Sequence, residues 1–162
     1  MVTAADIIRC PQGGLLIVDG IVLSAWTEAY DERAVGLLGD AVAEAARRQP
    51  TALAAIGIYR IKRLREVPSA EVRNALATMG KAHPFKVMVT VLDSSGFGNA
   101  IIRLFLTGLT NLLGKSSPMA IAESVEEGIA QVAATGVDVS ALRPALALLT
   151  TEIFGVPAVS AT

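Results

Sequence analysis

The sequence predicts an α/β domain in which a mixed sheet of about five strands is covered by helices, with an extra helix at the C-terminal end. Three observations indicate this class. The 162 residues fit one ordinary domain, 52% of them are hydrophobic, and short apolar runs alternate with helical stripes along the chain. The low charged fraction of 18% also excludes an intrinsically disordered chain.

The chain opens with a predicted β-hairpin. Apolar runs at residues 15–18 and 21–26 are separated by Asp19 and Gly20. Because Asp-Gly is a dipeptide that closes two-residue turns, these two runs are expected to pair as antiparallel strands.

Two helix–strand units follow the hairpin. Apolar residues recur at helical spacing over 31–49, and a continuous apolar run of strand length fills 52–59. A strand with this composition is expected to be buried on both of its faces. Ser69 is placed to cap a second helix, and the β-branched run at 85–92 is the strongest strand of the chain.

Predicted helices and strands also alternate in the last third of the chain. The sequence predicts an apolar helix over 97–113, a short strand over 118–122 and a helix over 124–134 that begins with a capping-box pattern. A final helix is expected to begin within residues 140–144. Because the helix over 97–113 is apolar nearly all round, we expect it to be central in the fold or covered by another molecule.

Composition excludes several functional classes. The net charge of −1 gives no electrostatic argument for a nucleic-acid partner, which requires a clearly basic domain. The single histidine, His83, and the single cysteine, Cys10, are too few for a typical metal site or an internal disulfide, and no cofactor is expected. Charge-free runs are too short for a membrane-spanning helix, and the first residues lack a signal-peptide pattern, so we expect a cytoplasmic protein.

The turn after the strand at 85–92 is the first candidate site. It consists of Asp93, Ser94, Ser95 and Gly96, directly before a predicted helix. Small residues at such a turn leave backbone N–H groups free to bind an anion, and the helix dipole strengthens the attraction. The same residue types also form an ordinary helix cap, and both interpretations stay open.

A cluster of basic side chains is the second candidate site. It comprises Arg60, Lys62, Arg63, Arg65 and the nearby Arg73. In a chain of near-zero net charge, a local positive patch suits an acidic protein surface, a phosphate-bearing ligand or an anionic headgroup. The alternative is a solvated loop in which neighbouring glutamates neutralise the charge.

The hydrophobic pattern over residues 17–134 and the string DSSGFG at 93–98 resemble the STAS family, in particular its SpoIIAA-like branch of single-domain bacterial proteins. The resemblance implies a STAS-like α/β domain over residues 1–137. Residues 138–162 are then a C-terminal helical extension of the same domain. Fold resemblance alone does not fix function.

The same resemblance implies a site of phosphorylation. Anti-sigma-factor antagonists of this family are phosphorylated by a partner kinase on the first serine of a DSSG-type motif. By motif, the corresponding residue is Ser94. By position after the third predicted strand, it is Ser69.

Three functions remain open from the sequence. The first is a non-enzymatic regulatory module that acts through a protein partner, since no nucleophile–base pair is evident. The second is a carrier or sensor of an apolar small molecule or lipid, with a pocket walled by the helix at 97–113 and the C-terminal helix. The third is an enzyme that uses Asp93 and Ser94.

Low net charge and high apolar content also predict a homo-oligomer, most simply a dimer with 97–113 or 142–154 at its contact.

Overall fold

The protein contains one sheet of six strands in the computed structural model, which describes residues 1–61, 68–92 and 97–162. The strands are β1 (Ile8–Cys10), β2 (Gly13–Val18), β3 (Ile21–Trp26), β4 (Ala54–Tyr59), β5 (Val87–Leu92) and β6 (Met119–Ala122). The helices are α1 (Glu32–Arg48), α2 (Ala70–Ala82), α3 (Phe97–Leu113), α4 (Val125–Ala133) and α5 (Leu142–Phe154). The predicted α/β class with a mixed sheet is confirmed, and β1 is a strand beyond the five that were expected.

Strand order in the sheet follows the order of the chain. The β1–β2 and β2–β3 pairs are antiparallel, whereas β3, β4, β5 and β6 run parallel to one another. Each helical crossover between parallel strands therefore advances the sheet in the same direction. Because such crossovers are right-handed, α1, α2 and α3 all lie on one face of the sheet.

The opposite face is covered by α4 and α5. Leu146 and Leu149 of α5 are fully buried there, in one cluster with Leu23 of β3 and Ile56 of β4. Pro144 lies in the first turn of α5, as the sequence predicts. The sequence predicts a pocket walled by α3 and α5 together. This prediction is wrong, because α5 packs on the opposite side of the sheet from α3.

Three helices begin with N-cap residues of the preferred types. Asp31, Ser69 and Ser124 each accept a hydrogen bond from a backbone N–H three residues later, at 2.9, 3.2 and 3.1 Å. The capping box at Ser124 differs in one respect. The Glu127 carboxylate accepts from the backbone N–H of Glu123, at 2.8 Å, rather than from that of Ser124.

Among the residues whose burial is described, α3 has one buried side and one exposed side. Ile102, Phe105 and Leu109 are buried against the other helices, whereas Leu104 is 67% exposed and Leu112 is 39% exposed. The apolar side chains of this helix therefore lie on its buried side and also on its partly exposed side. Among the helices in the described ranges, none has both the length and the hydropathy needed to cross a membrane.

Candidate functional site

A cavity of about 50 Å³ lies between the sheet and the layer formed by α1, α2 and α3. It lies against the central strand β4, in which Ala55, Gly57 and Tyr59 are each partly accessible while their neighbours are buried. The expectation that this strand is buried on both faces holds for the side of α4 and α5, and only in part for the side of the three helices. Ala55 has only a methyl group and Gly57 has no side chain, so neither fills the space beneath Leu38 and Leu106.

The floor of the cavity is a row of residues on three neighbouring strands. Ser24 of β3 pairs with Gly57 of β4, which in turn pairs with Thr90 of β5. Neighbouring strands are about 4.8 Å apart, so this register places the glycine between two hydroxyl-bearing residues. A Cβ atom at Gly57 would lie 3.1 Å from Ser24 Oγ. The serine hydroxyl therefore lies over the position that glycine leaves open.

The two floor residues are buried, and their hydroxyls face the cavity without a hydrogen-bond partner among the described residues. Ser24 is 6% exposed and Thr90 is 5% exposed, and both line the cavity. Within the described part of the chain, neither side chain forms a hydrogen bond. Each hydroxyl keeps accessible surface on the cavity side, where a polar atom of another molecule can reach it. The floor can therefore bind a polar atom of a molecule in the cavity.

Methionines form much of the remaining wall. Of the four methionines in the chain, Met79 of α2, Met88 of β5 and Met119 of β6 line this cavity. Methionine is unbranched and has three rotatable bonds, so it adapts its shape to what it contacts. The cavity can therefore change its volume without a change in the backbone.

A pair of tyrosines closes one end of the cavity. The hydroxyls of Tyr30 and Tyr59 lie 3.1 Å apart, and Trp26 packs edge-on against Tyr30 with ring centroids 5.0 Å apart. The same two tyrosines also line a second apolar cavity, of about 20 Å³, together with Ile61 and Phe105. Burial raises the pKa of Tyr30 to about 12 and that of Tyr59 well above its usual value, so both phenols are neutral at physiological pH.

The described residues that line the cavity are all uncharged. The walls are aliphatic, aromatic or thioether groups, and the polar atoms are hydroxyls. Such a surface binds a neutral molecule by burial of apolar area and by a small number of hydrogen bonds.

A larger and more open groove, of about 870 Å³, lies beside the turn between β2 and β3. Its acidic side chains include Asp6, which accepts hydrogen bonds from Thr3, and Glu44, which pairs with Arg47 and Arg48. Because Asp19 and Asp40 also line the groove and the groove is the more open of the two, the cavity beneath the helices is the better candidate for a small neutral ligand.

The turn predicted as an anion or phosphate site lies outside the described residues. It comprises Asp93, Ser94, Ser95 and Gly96. The alternative phosphoacceptor, Ser69, is exposed and uses its hydroxyl oxygen to cap α2. Whether either serine is modified stays a prediction.

The basic cluster is described only in part, because Lys62, Arg63 and Arg65 also lie outside the described residues. The guanidinium of Arg60 lies 4.6 Å from the centre of the Phe154 ring and connects the end of β4 with the end of α5. Arg73 lies against α3 near Gly108, and its Nε is buried with no hydrogen-bond partner among the described residues. The role of the cluster as a binding patch stays a prediction.

The cavity residues were not predicted as a site from the sequence. Ser24, Gly57 and Thr90 come together only through the register of three strands, which no local pattern specifies. One local signal was present: Ala55 and Gly57 alternate with larger residues in β4, which indicates a strand with one poorly filled face.

No cluster of three metal-ligating side chains is found within the described ranges. Comparison of the chain with family models, with curated proteins and with solved structures found no match in any of the three.

Proposed function

We propose that the protein binds a small, mainly apolar molecule in the cavity beneath α1, α2 and α3, as a carrier or sensor of that molecule. The observation that supports this function best is the partly accessible face of β4 at Ala55 and Gly57, in the middle of the sheet and under three helices. Protein interiors are normally close-packed, and unfilled volume at such a place lowers stability.

The size of the cavity favours a small ligand. Its volume of about 50 Å³ is well above the roughly 10–15 Å³ that one water molecule requires. It is smaller than the apolar cavity of about 150 Å³ that admits benzene in an engineered protein. A short-chain molecule fits with small side-chain movements, and rotation of Met79, Met88 and Met119 would admit a larger one.

Xenon provides a direct test, because it binds apolar cavities through dispersion contacts alone. We expect xenon to shift the methyl resonances of Met79, Met88 and Met119 in protein with labelled methionine methyl groups. Met1 is fully exposed and lines the separate open groove, so its resonance should move less than those of the three cavity methionines. Equal shifts of all four methionines, or no shift of the three cavity methionines, would contradict the proposed function.

A regulatory module that acts through a protein partner is the second candidate function. It is favoured by the exposure of Leu104 and Leu112 on one side of α3, since large exposed leucines on one helix face are typical of contact surfaces. The two functions are compatible, because Leu106 and Leu109 of the same helix line the cavity from the buried side.

A further inference from the structure

The floor of the cavity carries hydrogen-bonding groups that a purely apolar ligand would leave unused. Ser24 and Thr90 lie on either side of Gly57, and each hydroxyl lacks a partner within the described part of the chain. The tyrosine pair adds a further group. When one phenol donates to the other at 3.1 Å, the accepting hydroxyl still has its own proton to donate.

The character of these groups limits the ligand to neutral molecules. Hydroxyls both donate and accept hydrogen bonds, so they suit alcohols, carbonyls and amides equally well. No cation among the described lining residues is available to neutralise a carboxylate or a phosphate. An ionised group in this buried place would lose its hydration without an opposite charge in return, which is strongly unfavourable.

We infer that the ligand is amphipathic and uncharged, with a hydroxyl, carbonyl or amide head over Gly57 between Ser24 and Thr90, and an apolar body beneath the helices. This inference rests on the proposed function, because it specifies the ligand of the same cavity. Gly57 is the central residue of this subsite, because a Cβ atom there would lie 3.1 Å from Ser24 Oγ and 3.6 Å from the Tyr59 hydroxyl, among the groups that would bind the head.

Ordered water is the competing occupant of the floor. A water molecule with two or more hydroxyl partners would satisfy Ser24 and Thr90 without any ligand. The two cases differ in one measurable respect. Only a ligand head group makes affinity depend on the floor hydroxyls when the apolar part of the ligand is held constant.

A set of three probes holds that apolar part constant. Pentane, butanol and pentanoate share a butyl chain and end in a methyl, a hydroxyl and a carboxylate group respectively. Their dissociation constants are measured from the methyl resonances of Met79, Met88 and Met119. The wild type is compared with the double variant Ser24→Ala, Thr90→Val, which removes both floor hydroxyls and keeps the apolar wall nearly unchanged.

We expect the double variant to bind butanol about tenfold more weakly than the wild type, as the loss of one hydrogen bond predicts. Pentane should bind the double variant at least as tightly as the wild type. Pentanoate should not bind the wild type at neutral pH. The matched control is Thr78→Val, an exposed threonine of α2 whose hydroxyl bonds to the Asn74 carbonyl, and it should leave all three affinities unchanged.

The outcomes distinguish a failure of the inference about the head group from a failure of the proposed function. If butanol and pentane weaken by the same factor, or if pentanoate binds as tightly as butanol, the inference about the head group is wrong while the cavity remains a binding site. If neither neutral probe binds the wild type, the proposed function itself is wrong and the inference fails with it. The denaturation midpoint of the double variant should equal or exceed that of the wild type, which shows that the fold is intact.

Discussion

The phenolic oxygens of Tyr30 and Tyr59 lie 3.1 Å apart at the end of the cavity beneath the helices, joined by one hydrogen bond. Burial is the main cause that raises the pKa of both phenols, to about 12 for Tyr30 and well above the usual value for Tyr59. In the unfolded chain the same phenols ionise near pH 10. Because the pKa of each phenol differs between the folded and the unfolded chain, the free energy of unfolding depends on pH in the alkaline range.

The first prediction concerns this coupling. Below about pH 10 both states keep the phenols protonated, so the stability of the protein is unaffected by them. As the pH rises from about 10 toward about 12, the unfolded chain loses these protons first. The free energy of unfolding should then fall by up to about 1.4 kcal/mol per pH unit for each phenol. Urea denaturation across this range measures the slope.

Tyr59→Phe is the variant that tests the cause of this slope. It removes one of the two titrating groups and should make the alkaline loss of stability smaller. The near-ultraviolet absorbance of phenolate gives an independent readout. Its appearance in the folded wild type near pH 10 would show that burial does not protect the pair.

Most of the fold could be predicted because its signals are local. The bounds of β3 and α3 agree with the periodicity of the sequence, and Ser69 and Ser124 cap the helices that follow them. The missing strand, β1, has only three residues, one of which is the exposed Arg9. It is stabilised by pairing with β2, and three residues are too few to show the hydrophobic alternation that predicts a strand.

The cavity could not be predicted for a different reason. The expected pocket lay between α3 and the C-terminal helix, but these helices cover opposite faces of the sheet. Which face a terminal helix takes depends on the connection after β6, which local periodicity does not describe. The resemblance to the STAS family stays a prediction, because the α/β class and the mixed sheet are shared by many folds.

The second prediction fills the cavity from its floor. A Cβ at Gly57 would lie 3.1 Å from both Ser24 Oγ and Tyr59 Cε2, so Gly57→Ala should abolish the xenon response of the cavity methionines. Stability should change by less than about 1 kcal/mol, because better strand propensity offsets the close contacts. Gly36→Ala on α1, where a Cβ meets open space, is the control and should raise stability by about 1 kcal/mol with the xenon response intact. A xenon response that survives Gly57→Ala would place the probe elsewhere.

The third prediction separates capping from regulation at Ser69. Its hydroxyl oxygen accepts from the Val72 N–H at 3.2 Å, so Ser69→Ala should lower the free energy of unfolding by about 1 kcal/mol. Ser69→Asp should leave stability nearly unchanged, because aspartate caps a helix as well as serine does. Ser124 has the same geometry on α4 and is the matched control, with the same expected response to both changes. If Ser69→Asp altered xenon binding or self-association while Ser124→Asp did not, Ser69 would be more than a cap.

The fourth prediction is that the protein forms a dimer through α3. Leu104 and Leu112 are about two helical turns apart and lie on the same exposed side, whereas Leu148 of α5 is partly buried and the other leucines of that helix are fully buried against the sheet. A net charge of −1 opposes association only weakly. We therefore expect sedimentation to show a dimer at concentrations on the order of tens of micromolar, and the double variant Leu104→Gln, Leu112→Gln to sediment as a folded monomer. Val156→Gln, at a position that is 52% exposed beyond α5, should remain a dimer. A wild type that sediments as a monomer would show that the exposed leucines of α3 have no second copy as their partner.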